Sequence, residues 1–207
     1  MSRFFALSIL APGLFARERD TSDLALVERA RAKEASAFRV LFDRHGQAVW
    51  RFLRDVLGDE SLADEGVQET FIRAFDRIDS LENGARLLPW LLGIARNVAF
   101  ELQRARRRDR ERGEPHDDRA LEDVHDGDAS TPEVVLLGRE TEAVMSRALE
   151  SLSTERRAAL LMRVDHGLGY DEIARAMGWN IPKVKNEIHR ARLQLRNALV
   201  RYDGGEP

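Results

Sequence analysis

The sequence GLGYDEIARAMGWNIPKVKNEIHRARLQLRNAL spans Gly167 to Leu199. It opens with a short segment, Tyr170 to Met177, whose apolar residues recur at helical spacing. Gly178, Trp179 and Asn180 then punctuate it, and Pro182 stands where proline suits the first turn of a new helix. Asn180 is a suitable N-cap for that helix, which the spacing predicts over Ile181 to Tyr202. Two helices joined by so short a turn have the form of a helix-turn-helix, in which the second helix enters the DNA major groove. On a wheel of about 100° per residue, Val184, Ile188, Ala191 and Leu195 share one face. Lys183, Asn186, His189, Arg190 and Leu193 take the opposite one, with Lys185 at its edge. From Asn180 to Arg201 six basic residues (Lys183, Lys185, Arg190, Arg192, Arg196 and Arg201) stand against Glu187 alone, a local charge of +5. Such clustering suits phosphates, and Asn186, His189 and Arg190 carry donors able to read base edges. The same pattern also describes a solvated face of a helical protein that never meets DNA.

Outward from this stretch the whole chain reads as helix. The six prolines lie outside the long apolar-periodic segments or at their starts, and no segment alternates at period two. One helical block is expected from Asp23 to Gly58, broken at Gly46 and closed by Gly58. A second follows from Glu60 to Ile78, with Val67, Phe71, Ala74, Phe75 and Ile78 inward and Asp64, Glu65, Gln68, Glu69 and Arg73 outward. A third runs from Leu87 to about Arg108, with Leu91, Ala95, Val98, Ala99 and Leu102 inward and Arg96, Asn97, Phe100 and Arg104 outward. Beyond the linker, helices are expected over Leu136 to Glu150 and, capped by Ser153, over Thr154 to Val164. The fold class is all-α: two small helical domains, 23–112 and 136–202, joined by a flexible acidic linker, 113–135, with an N-terminal extension, 1–22, and a short tail, 203–207.

Charge separates these parts. The 207 residues sum to −3, which by itself announces no nucleic-acid partner. From Glu114 to Val134, however, eight acidic residues face one arginine, and removing this −7 leaves +4 for everything else. The six arginines between Arg104 and Arg112 add a second basic run. With no cysteine, disulfides, thiolate metal sites and a cysteine nucleophile are excluded. His116 and His125 among linker aspartates match no standard zinc or calcium spacing. The apolar stretch Phe4 to Ala16 is too short to span a membrane and is interrupted by Pro12 and Gly13. It reads as a partner-binding or floppy extension rather than an export signal.

The motifs as written resemble one family. Gly167, Leu168, Tyr170, Glu172, Ile173, Ala174, Gly178, Val184, Lys185, Arg190, Ala191 and Arg192 match the promoter-reading C-terminal domain of extracytoplasmic-function (ECF) sigma factors of the sigma-70 family. ADEGVQETFIRAFDRI (Ala63 to Ile78) and LPWLLGIARNVAFELQRARRR (Leu88 to Arg108) resemble two further segments of that family, in the same order. The resemblance covers Phe38 to Leu199 and leaves out the N-terminal extension and the linker. It implies a non-enzymatic, cytoplasmic promoter-specificity factor, without cofactor or metal, that binds RNA polymerase core and promoter DNA and answers to an anti-sigma factor, with no insertion in a membrane.

Under that resemblance Asp64, Glu65, Gln68 and Glu69 face the clamp helices of the β′ subunit, an outward acidic and amide face without basic partners on its own turns. Arg96 and Asn97 match the family's minus-ten positions, and the wheel adds Phe100 and Arg104 to the same face, where charge, amide and aromatic together suit an unstacked single strand. Phe100 either stacks on a base or packs under a neighbouring loop. Lys183, Lys185, Asn186, His189, Arg190 and Arg192 face the minus-thirty-five element. Four departures stand out. Gly66 replaces leucine at a helix-propensity cost of about 1 kcal/mol, Gly169 replaces a capping serine, and Asn186 stands where serine is common. Glu187 sits where arginine is frequent, and either accepts from cytosine N4 or pairs with Lys183. A stand-alone helix-turn-helix regulator and a helical scaffold or enzyme are the other readings of the same pattern. Transcription that depends on the chain separates them.

Overall fold

Gly46 does not interrupt its helix. The computed structural model describes residues 23–82, 86–112 and 144–203, with side chains to Leu199, and the chain turns not at Gly46 but at Lys33, whose φ is 62°. Helix α1 (Asp23–Arg31) and helix α2 (Ala35–Leu57) flank that turn. Gly46 is buried on α2 against the ring of Phe42, and one glycine costs a helix too little to break it when both neighbouring turns are packed. Gly58 does end α2, in the left-handed conformation with φ 68°, its N–H donating to Arg54 O.

Helix α3 (Glu60–Arg77) starts at Asp59, whose carboxylate accepts from Leu62 N at 2.9 Å. One 3-10 turn (Ile78–Ser80) closes it. Helix α4 (Leu87–Arg112) runs a turn further than its apolar pattern requires. After residues outside the description come α5 (residues 144–150), α6 (Thr154–Val164), α7 (Tyr170–Met177) and α8 (Ile181–Asp203). Among the described residues there is no strand. The N-terminal extension, the acidic linker with His116 and His125, the onset of the helix expected from Leu136, and residues 204–207 lie outside the described residues.

Local chemistry sets the helix-turn-helix. Ser153 caps α6 and Asn180 caps α8, the latter accepting from Lys183 N at 2.8 Å. Gly169 has no side chain to cap α7, yet Glu172 reaches back to Gly169 N at 2.7 Å, so half of a capping box survives the lost serine. Gly178, with φ 64°, makes the turn.

The cores of the two units are continuous. Phe52, Leu53 and Val56 of α2 and Leu91, Leu92 and Val98 of α4 are fully buried, as are Leu161, Met162, Leu168 and Ile173 of the second unit, in one cluster. Helix α7 lies across α4, and α6 lies against α2. A Cβ at Gly93 of α4 would stand 3.4 Å from Ala176 Cα, so this glycine and alanine let the two backbones approach. Arg86 pairs with Glu172 at 3.3 Å and Thr154 donates to Gln103, both across the same seam.

Gly66, the departure from the family leucine, also has a packing reason. A Cβ there would meet Leu53 Cδ1 at 3.1 Å and Leu102 Cδ1 at 3.5 Å, so the two leucines occupy the space a larger residue would need.

Candidate nucleic-acid and polymerase interfaces

Three helix faces carry the proposed sites, and they differ in how open they are. On α8 the wheel holds: Val184, Ile188, Ala191 and Leu195 are buried, while Lys183, Lys185, Asn186, His189, Arg190 and Arg192 are all exposed. Lys183 Nζ sits 4.3 Å from the Trp179 ring centroid and Lys185 Nζ 5.6 Å from that of Tyr170. These aromatics brace the cation stems at the start of the helix. Glu187 does not pair with Lys183. Its Oε2 accepts from Arg156 Nε of α6 at 2.9 Å, and its Oε1 lies 3.6 Å from Arg190 Nη1.

The α4 face is partly covered. Arg96 is expected outward, but it is half-buried, its guanidinium reaches Met177 O at 3.5 Å, and burial pushes it below its ordinary pKa. Helix α7 is what covers it, an interaction between units that no wheel of α4 alone contains. Asn97 and Phe100 are half-buried, and Arg104 is exposed. Phe100 packs against the core with Arg96 over its ring at 5.4 Å, so in this arrangement it lies against protein. Of the basic run that follows, Arg106 is committed to Asp59 at 2.9 Å and Arg107 pairs with Glu111 at 2.9 Å.

The α3 face is acidic but not free of cations. Asp64, Glu65 and Gln68 are exposed and Glu69 is half-buried. Asp64 accepts from Trp50 Nε1 at 2.7 Å, and Glu69 accepts from Arg73 Nε at 2.6 Å, which corrects the expectation of a face without basic partners on its own turns. Arg73 sits one turn beyond Glu69 and also holds both oxygens of Glu101 on α4, at 2.9 and 2.7 Å. Those hydrogen bonds lower the Glu101 pKa and raise that of Arg73.

Two apolar residues belong to this face as well. Ile72 is 58% exposed, and Phe75, expected inward, is 38% exposed with its ring edge-to-face on Phe38 at 4.8 Å. The wheel places Ile72 between Gln68 and Glu69, so its exposure was legible from spacing alone. An apolar residue ringed by carboxylates and amides is the usual make-up of a protein contact, an apolar centre with a polar rim.

A helix-turn-helix with an open basic face, packed on a helical bundle that carries an acidic one, defines the class: a helical module of the kind found in transcription factors. The sigma-70 region 2 family matches residues 41–110, and the sigma-70 region 4 family matches residues 143–195. Among curated relatives, the ECF RNA polymerase sigma-E factor of Haemophilus influenzae is 30% identical over 185 residues, 86% of this chain and 95% of the relative. That of Escherichia coli (strain K12) is 32% identical over 182 residues, 86% and 94% respectively. The chain belongs to the ECF sigma factors of the sigma-70 family, which bind core RNA polymerase and direct promoter-specific initiation.

Solved structures agree in fold. CnrH, in complex with the cytosolic domain of CnrY, superposes with a TM-score of 0.63 at 24% identity, over 88% of this chain and 99% of that one. The sigma factor RpoE of Bartonella quintana, in complex with the anti-sigma factor NepR, superposes with a TM-score of 0.60 at 25% identity, over 78% and 96%. Among the described residues no helix is long and apolar enough to cross a membrane, and no cluster of three or more potential metal ligands occurs.

Proposed function

We propose that the three faces divide the work of initiation. Helix α8 reads the minus-thirty-five element through Asn186, His189 and Arg190, with Lys183, Lys185 and Arg192 on phosphates. Helix α4 holds the minus-ten strand through Arg96, Asn97, Phe100 and Arg104. Helix α3 docks on the β′ clamp helices through Asp64, Glu65, Gln68 and Glu69, with Ile72 as the apolar centre. The chain supplies no catalytic group. It works in the cytoplasm and selects where the polymerase performs its chemistry.

The observation that carries this reading is the contrast between α8 and α4. The basic face of α8 is open, whereas Arg96 lies under the C-terminal end of α7. Reading both elements at once therefore requires the second unit to leave α4. An anti-sigma factor that favours the closed arrangement would withhold the minus-ten face, and the Bartonella quintana neighbour is itself in complex with an anti-sigma factor.

Run-off transcription with core polymerase and a selected promoter tests the proposal. Initiation should depend on the chain. Ile72→Glu should weaken core binding about tenfold while leaving the fold intact, and Lys185→Ala should weaken promoter binding across sequences. Transcription that proceeds equally well without the chain overturns it.

A further inference from the structure

Glu187 is the one acidic residue on the described part of α8 up to Leu199, and it stands next to the groups proposed to touch DNA. A carboxylate that reads cytosine N4 must present free lone pairs to the major groove. The Glu187 side chain is only 18% exposed, with Oε2 taken by Arg156 Nε at 2.9 Å. Arg156 also donates from Nη1 to Gln194 Oε1 at 3.1 Å, and Gln194 Nε2 donates to Ser151 O at 2.7 Å. Glu187 and Gln194 are seven residues apart, two turns, so they lie on one line of α8. Arg156 sits in the first turn of α6, its backbone N–H capped by Ser153. The line from Ser151 through Gln194 and Arg156 to Glu187 thus ties one edge of α8 to α6 at two levels.

We propose that Glu187 is a positioning residue for promoter reading: paired with Arg156, it fixes the roll of α8 about its own axis and steadies Arg190. The roll decides which of Asn186, His189 and Arg190 meets base edges, because neighbouring positions on a helix differ by about 100°. The position where arginine is frequent in the family is thereby converted from a DNA contact into an internal tie. The carboxylate also places a negative charge beside the DNA, which lowers affinity for every sequence alike. Selectivity is kept at the expense of grip.

This rests on the reading that α8 faces the minus-thirty-five element. The experiment uses full-length chain bound to core polymerase, with a duplex selected from a randomised pool and a scrambled duplex as probes. Glu187→Gln should raise affinity for the scrambled duplex about threefold and lower the selected-to-scrambled ratio about tenfold. Arg156→Gln should lower the ratio by a similar factor, and the double variant should be no worse than either single one, as for two members of one interaction. The reciprocal exchange Glu187→Arg with Arg156→Glu should recover the ratio. Loss confined to a single base pair in Glu187→Gln, with Arg156→Gln unaffected, would show a direct base contact and overturn the proposal, as would unchanged selectivity in both. Lys185→Ala tells the two failures apart. If it leaves binding to both duplexes unchanged, α8 does not face DNA, and the proposal falls with that reading.

Discussion

Arg157 of α6 donates from Nη1 to the backbone oxygen of Val56 at 3.0 Å, although 101 residues separate them in sequence. Val56 lies in the last turn of α2, where carbonyls have no partner within the helix, and a cation there also meets the negative end of the helix dipole. Arg157 is 6% exposed, and burial lowers its pKa. One residue of the second unit thus completes a helix end in the first. Arg157→Met keeps the apolar stem and leaves the Val56 carbonyl buried without its donor. It should cost about 2 kcal/mol, read from urea unfolding, and should make the chain more extended in small-angle scattering.

The crossing of α7 over α4 depends on the absence of side chain at Gly93 and the small one at Ala176. Ala176→Leu should force the helices apart and uncover Arg96. The free chain should then bind a single-stranded minus-ten oligonucleotide from a selected promoter about tenfold more tightly, the gain expected when a cost of about 1.4 kcal/mol for opening is removed. Fluorescence anisotropy measures it, and unchanged affinity would show that α7 does not limit access.

Restoring the family residue at Gly66 should harm this chain. Leucine would gain helix propensity, yet its Cβ alone would meet Leu53 at 3.1 Å, before the rest of the side chain is placed. Gly66→Leu should be destabilising by about 2 kcal/mol, as overpacking usually is. Pairing it with Leu53→Ala should recover part of the loss in thermal unfolding.

The His166 imidazole is 5% exposed, edge-on to Phe52 of α2 at 5.8 Å, with Asp165 Oδ2 3.5 Å from its Nε2. Burial lowers its pKa, Arg51 of α2 adds to that, and Asp165 opposes it. The neutral form is therefore the one the folded chain holds. This stabilisation is complete above the ordinary histidine value of about 6.5 and is lost as pH falls below it. Asp55, raised above its usual value chiefly by burial, works in the opposite direction in a more acidic range. The melting temperature should fall between pH 7.5 and pH 5.5, and His166→Gln should flatten that dependence.

Legibility varied with the range of the interaction. The bounds Thr154–Val164 and Tyr170–Met177, the caps at Ser153 and Asn180 and the buried stripe of α8 follow from periodicity and capping, which are local. No residue type marks the turn at Lys33, which takes a positive φ without being glycine, whereas Gly46 has the residue type of a break and lies inside a helix. The spacing of Phe75 fits an inward position. Phe38 meets the ring edge-on and Lys33 Nζ lies 4.9 Å from its centroid, contacts that leave the ring partly open to solvent. The Arg156 partner of Glu187 and the Met177 carbonyl that Arg96 reaches lie on other helices, in α6 and at the end of α7, where no wheel reaches.

From the sequence alone came the helices, the family and the three faces that bear its chemistry, because apolar spacing, caps and motif residues act over a few turns. The tertiary structure decided which of those faces is open. Packing of α7 on α4 at Gly93 and Ala176, and of Arg157 on the end of α2, closes the face of Arg96 and leaves that of α8 exposed. Contacts between residues some 80 to 100 positions apart in sequence arise only when two cores become one.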